Sequence, residues 1–133
     1  EPEVWSENPN IEPQTRMFRT PDHYGFMTVD YTMFDALIIA LSGTYTGSML
    51  VQHFAGYIAE DEEVITPDFF DMGIKVAYDV KLSNNSTMQF NAGIKNIFNS
   101  YQEDLDQGAD RDAGYIYGPS LPRTFFFGLK LGL

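Results

Sequence analysis

The sequence predicts an all-β protein of antiparallel up-and-down strands, and three observations lead there. Apolar residues recur with period two through five separate segments. β-Branched and aromatic residues fill those segments, whereas helix formers such as Ala, Glu and Lys are sparse in them. The acidic residues collect in the stretches between, which show no periodicity and hold Pro, Gly, Asn and Gln.

The first segment sets Met27, Val29 and Tyr31 against Thr28 and Asp30. The second alternates Leu37, Ile39, Leu41 and Tyr45 with Ala40, Ser42, Thr44, Thr46 and Ser48. The third and clearest runs Phe70, Met72, Ile74, Val76, Tyr78, Val80 and Leu82 against Phe69, Asp71, Gly73, Lys75, Ala77, Asp79 and Lys81. The fourth places Met88, Phe90, Ala92, Ile94 and Phe98 opposite Gln89, Asn91, Gly93 and Lys95. The last alternates Phe125, Phe127, Leu129, Leu131 and Leu133 with Phe126, Gly128, Lys130 and Gly132. Short turns near Thr32–Asp35 and Ser83–Ser86 join two pairs of strands, while 1–23, 50–67 and 99–122 read as long loops.

Composition narrows the function classes. A length of 133 residues suits a single domain. The formal charge of -11 lies entirely in residues 1–23, 60–63 and 103–112, so nucleic acid is not an expected partner. With no cysteine there is no disulfide framework, thiolate zinc site or cysteine nucleophile. The longest apolar run, Ala36–Leu41, is far short of the ~20 residues of a membrane-spanning helix. No initiator methionine or signal peptide stands before Glu1, which leads us to expect a mature or truncated chain.

Alternation fits a soluble sandwich as well as a transmembrane barrel. Three features favour the barrel. Every strand charge (Asp30, Asp71, Lys75, Asp79, Lys81, Lys95, Lys130) falls on one face, which suits either reading, but that face is otherwise rich in Gly, Ala, Ser and Thr, as a lumen would be. Aromatics gather near strand ends, at Tyr24, Tyr31, Tyr45, Tyr78, Phe98 and Phe125. Connections alternate between short and long, the pattern of periplasmic turns and extracellular loops.

The segment Asn91-Ala-Gly-Ile-Lys-Asn-Ile-Phe-Asn-Ser-Tyr101 resembles the penultimate strand of TonB-dependent outer-membrane receptors, and Pro122-Arg-Thr-Phe-Phe-Phe-Gly-Leu-Lys-Leu-Gly-Leu133 resembles their last strand. The stretches Gly108–Pro119 and Arg19–Gly25 resemble the Bacteroidetes-type version. The resemblance covers nearly the whole chain. It implies that residues 1–133 are the C-terminal portion of a receptor β-barrel, about five strands of its arc, with the plug domain and N-terminal strands absent. It also implies that 1–23, 50–67 and 99–122 are extracellular loops. Gly128, Leu131 and Leu133 fall at the spacing of the signal read by the barrel-assembly machinery. Two residues depart from the pattern: Leu133 ends the chain where an aromatic is usual, and Phe126 stands where a polar residue is expected.

Candidate sites concentrate in 99–122. Asp104, Asp106, Asp110 and Asp112 invite a hard-cation reading, although Gly108 breaks the EF-hand pattern and a solvated acidic loop is the plainer expectation. Arg111, Tyr115 and Tyr117, with Arg123, could line a ligand vestibule, since Tyr offers area plus a polar tip and Arg binds carboxylates bidentately. The simpler reading has Tyr117, Pro119 and Arg123 shaping the return into the last strand. His23 and His53, at loop–strand borders, have no evident third partner and read as ordinary interface histidines. Asp71 and Asp79 lie ~26 Å apart along one strand, too far for shared acid–base work. The Asn84-Asn-Ser and Asn85-Ser-Thr sequons fit turn chemistry.

No constellation supports an enzyme, and no cofactor is expected. The resemblance implies a Gram-negative outer-membrane transporter importing a scarce ligand, iron-siderophore or cobalamin ahead of an oligosaccharide. Its partners would be membrane lipid, the assembly machinery, the imported ligand and TonB, the last through the missing N-terminal part. The alternatives are a soluble acidic β-sandwich binding module, carbohydrate-binding or adhesive, and a small barrel unrelated to TonB.

Overall fold

The computed structural model describes residues 1–133 and contains strands and no helix. The strands are β1 (Tyr24–Met33), β2 (Leu37–Thr46), β3 (Leu50–His53), β4 (Glu62–Ile65), β5 (Phe69–Ser83), β6 (Ser86–Lys95) and β7 (Thr124–Gly132). The chain divides into two compact units. One comprises Glu1–Tyr24, Thr46–Phe69 and Tyr101–Ser120; the other comprises Gly25–Tyr45, Phe70–Ser100 and Leu121–Leu133.

The second unit is a five-stranded sheet in the order β1-β2-β5-β6-β7, the five strands expected from the sequence. It does not close, so β1 and β7 each keep an unpaired edge. Antiparallel register across β5, β6 and β7 lines up apolar rows: Ile74, Ile94 and Phe125; Val76, Ala92 and Phe127; Tyr78, Phe90 and Leu129; Val80, Met88 and Leu131. Met27 and Phe70 close over Gly43 on this same face, carrying it across β1 and β2. The face is uncovered: Phe125 is 71% and Phe127 76% exposed. Each such side chain forgoes ~1.5–3 kcal/mol until something apolar covers it.

The opposite face holds the charges. Asp79, Gln89 and Lys130 form one row, in which Gln89 Nε2 donates to Asp79 Oδ1 at 2.7 Å. The anomalous Phe126 lies opposite Gly93, where a Cβ would come within 2.4 Å of its ring, and Lys95 Nζ sits 5.7 Å from the ring centroid. The aromatic therefore fills the space its glycine partner leaves, with a cation over its face. Apart from Gly43, only Ala77 and Asn96 of this unit are buried, so the sheet has no core of its own.

Two local features set the strand limits. The β1–β2 turn passes through Phe34 and Asp35 at φ 54° and 56°, the left-handed conformation of a type I′ hairpin built without glycine. β6 stops at Lys95, short of Phe98, because Asn96 turns to φ 52°. Its buried amide donates to the carbonyls of Ser100 (2.9 Å) and Leu121 (3.0 Å) and accepts from Ser100 N–H (2.9 Å). Asn99 Oδ1 then accepts from Arg123 N–H at 2.8 Å. This asparagine pair fastens the end of β6 to the start of β7.

One expectation is corrected. The stretch 50–67 is not structureless: β3 and β4 pair antiparallel with Leu50↔Ile65, Val51↔Val64, Gln52↔Glu63 and His53↔Glu62. Glu62 and Glu63 disguise a strand, because Glu is depleted in strands and the pairing partner, not local propensity, decides the outcome.

Substituting Asn96→Ala should destabilise the protein by ~2–4 kcal/mol, since it leaves buried partners unsatisfied at a left-handed position. Denaturant unfolding measures this, and Asn99→Ala, which loses one exposed bond, should cost clearly less.

Candidate functional site

The first unit carries the packed core. Met49, Val51 and Tyr115 form its buried centre, with Val64 and Tyr117 against them. Alternation along β3 places His53 on the same side as Val51, so it enters the core too. Its side chain is 7% exposed, and Nε2 lies 2.9 and 2.8 Å from the two oxygens of Asp106, itself 2% exposed. The imidazole stacks on Tyr115, centroids 3.6 Å apart and planes 4° from parallel.

The 101–120 segment is clipped by Gln102, which is buried. Its Nε2 donates to Tyr115 O (3.1 Å), its Oε1 accepts from Tyr117 N–H (2.9 Å), and its own N–H donates to Pro119 O (2.8 Å). Phe69 packs over Gly118, where a Cβ would stand 2.5 Å from its ring.

Both tyrosine hydroxyls converge on Asp104. Tyr115 donates to Oδ2 at 2.8 Å, and Tyr117 donates to Oδ1. Partial burial works to raise the Asp104 pKa, but the bonds from Tyr117 and Tyr115 prevail and hold the carboxyl below its usual range. Burial and the adjacent Asp104 charge push both phenols well above the ordinary tyrosine value.

The chain matches no protein-family profile, no curated protein and no solved structure. Geometry alone therefore speaks for the site.

The sequence-selected residues separate in the structure. Tyr115 and Tyr117 meet edge to face at 5.3 Å, but Tyr115 is a core residue whose hydroxyl is already bonded to Asp104. Arg111 is exposed and apart from them in role, making no ion pair. Asp104, Asp106, Asp110 and Asp112 are not gathered around one point, and no cluster of three or more Asp, Glu or His is placed to hold a metal. Their oxygens are engaged elsewhere: Asp106 also accepts from Asp112 N–H (3.0 Å), and Asp112 accepts from Phe54 N–H (3.1 Å) and Gly114 N–H (2.8 Å). His53 does lie at a strand border, as the last residue of β3, and the strand turns it inward onto Asp106. Gln102 was not foreseen, and no sequence pattern marks it; the period-two position of His53 after Val51 was the available signal for the other.

The N-terminal segment also binds the acidic run of this unit. Trp5 Nε1 and Gln14 Nε2 donate to the two oxygens of Glu63 at 2.9 and 2.7 Å, while Ser6 and Ala55 N–H donate to Asp61. Those bonds hold the Asp61 carboxyl below its usual range. Trp5 packs edge-on against Phe18 and Phe54. A cleft of about 520 Å³ runs between Asn8–Gln14 and Glu60–Glu63.

The linkage signs are opposite for the two partners of the clamp. With the Asp104 pKa lowered, its contribution is present at neutral pH and fades as pH falls through the lowered value. With the phenol pKa values raised, theirs is present below the ordinary tyrosine range and is lost as pH climbs from it through the raised values. An ultraviolet titration should accordingly show two tyrosines ionising late, both moving earlier in Asp104→Asn. Separately, His53→Ala strands a buried carboxylate and should cost ~3–5 kcal/mol in denaturant unfolding. If His53→Ala unfolds at the wild-type midpoint, the pair is not stabilising.

Proposed function

We propose that the chain is a wall segment, with its surface loops, of a TonB-dependent outer-membrane receptor that imports a scarce ligand, with iron-siderophore or cobalamin as the cargo. The observation that carries this reading is the uncovered apolar face of the five-stranded sheet, aligned in unbroken cross-strand rows. Soluble monomers rarely expose so large a contiguous apolar surface. Lipid would cover it, as on a barrel exterior, while the opposite face with Asp79, Gln89 and Lys130 lines a polar lumen. The sheet strands are 9 to 15 residues long, enough for the ~9–11 a tilted transmembrane strand requires.

The two free edges fit the same reading, because a lipid-exposed edge is prohibitive and further strands must continue the sheet on both sides. TonB would act through the N-terminal part, and the assembly machinery through the terminal strand. There Gly128 is required by packing: the Asn91 side chain occupies the place of its Cβ, at 2.6 Å. Leu131 and Leu133 point outward, exposed, as an assembly signal or a lipid anchor would. The sandwich alternative needs a second sheet of matching size to cover the apolar face, and the only other sheet has two strands.

Single-cysteine labelling in outer-membrane vesicles tests the reading. Phe127→Cys and Tyr78→Cys should react with a membrane-partitioning thiol reagent and resist a charged one, with Gln89→Cys behaving the opposite way. A chain that fractionates as a detergent-free monodisperse monomer, or equal labelling on both faces, would overturn it. Phe127→Lys should cost ~2–4 kcal/mol if the residue lies near the bilayer midplane, and next to nothing if it faces water.

A further inference from the structure

All four lysines of the chain, Lys75, Lys81, Lys95 and Lys130, stand on the polar face of the five-stranded sheet, and none makes an ion pair. Lys81 and Lys130 border a hollow that also holds Asp35 and Asp79. Lys75 and Lys95 border a different hollow, of about 280 Å³, that no acid lines. We propose that this second hollow is a binding site for a small planar organic carboxylate, one aromatic ring bearing one carboxyl group. The site lies wholly within the sheet unit and does not depend on the transport reading, whatever covers the opposite face.

Side-chain size along the strands creates the hollow. Lys75 of β5 stands opposite Gly93 of β6, which in turn stands opposite Phe126 of β7. Phe126 leans over that glycine and forms one wall, with Lys95 Nζ 5.7 Å from its ring centroid. Two residues before Lys75, Gly73 has no side chain to fill the floor beside Ser42, whose Oγ would lie 3.4 Å from a Cβ placed there. Thr28 completes the border. A ring, two ammoniums and two hydroxyl-bearing residues thus surround a floor that a glycine keeps clear.

The chemistry of these walls selects the ligand. β5 and β6 are paired on both sides, so their N–H groups are spent in the ladders and offer no nest for a phosphate. An anion is held here by side chains alone, with the ammoniums acting as point charges. The volume lies near the ~300 Å³ lower bound of ligand pockets, which fits a single ring and excludes an extended chelate. Phe126 and the glycine floor present flat apolar surface, which an aromatic ring covers by stacking or edge contact. A bare inorganic anion would leave that surface wet, a neutral ring would leave both ammoniums without a counter-ion, and a cation would be repelled by them.

Fluorine NMR of 4-fluorobenzoate titrated with the full chain at low salt is the test. We expect a saturable response with a Kd on the order of a millimolar, as suits a ligand of so few atoms. The double variant Lys75→Gln/Lys95→Gln, at two exposed positions, should weaken binding about tenfold. Lys81→Gln/Lys130→Gln removes the same charge from the same face and should change it by less than about twofold. Gly73→Val, at a strand position whose backbone is not left-handed, fills the floor and should abolish binding. The neutral isostere 4-fluorobenzamide should give no saturable response, and acetate should compete poorly. Near-ultraviolet circular dichroism of each variant establishes that it remains folded. No saturable response in folded wild-type protein, equal weakening by the two lysine pairs, equal binding of the amide, or displacement by equimolar acetate would each overturn the proposal.

Discussion

The sheet depends on one constraint: period-two registry maintained across three consecutive hydrogen-bonded strands. A one-residue slip between β5 and β6 would put Lys75, Asp79 and Lys81 among Ile94, Phe90 and Met88, so the apolar rows and the charged rows enforce each other. The registry segregates residues so completely that the sheet gains little from burial. Its apolar face meets no second layer within its unit, and its polar face is too small and too charged to pack on. Backbone ladder and cross-strand pairs remain as the sheet's own sources of stability.

The other unit solves the opposite problem. It is assembled from three stretches distant in sequence, lacks long strands and is rich in acids, yet it holds most of the buried side chains. It does so by neutralising polarity internally. Gln102 satisfies three backbone and side-chain demands, His53 meets Asp106, and two tyrosines meet Asp104. Loops that would otherwise pay the full entropy of ordering are thereby given a small, specific core. Rigid presentation of a surface is the expected consequence, because ligand contacts on a preorganised frame lose less to ordering than contacts on mobile loops.

What could be read in advance tracks the range of the interaction responsible. The five sheet strands were legible because alternation is local, and the polar or apolar assignment of each face followed from the same pattern. The hairpin of β3 and β4 was hidden, since Glu62 and Glu63 obey a partner strand rather than their own propensity. His53 was underestimated because its partner lies 53 residues away. The four aspartates of 104–112 looked like one cluster in sequence, but adjacency in a loop does not orient side chains: Asp104, Asp106 and Asp112 turn to three different sets of donors. Phe126 looked like an error on a polar face until Gly93 was found beneath it.

The residues behind the family resemblance are engaged in holding the five-stranded sheet together. Asn96 and Asn99 tie β6 to β7, Gly93 admits Phe126, and Gly128 admits Asn91. Each is demanded by backbone geometry or by a missing Cβ, so each would be demanded equally by any sheet of this design, whatever its function. Recognition motifs of this kind therefore carry information about architecture and none about specificity, and the latter has to reside where chemistry, not packing, selects the residue. At the exposed margin of the loop unit, by contrast, two phenols reach one carboxylate, Asp104.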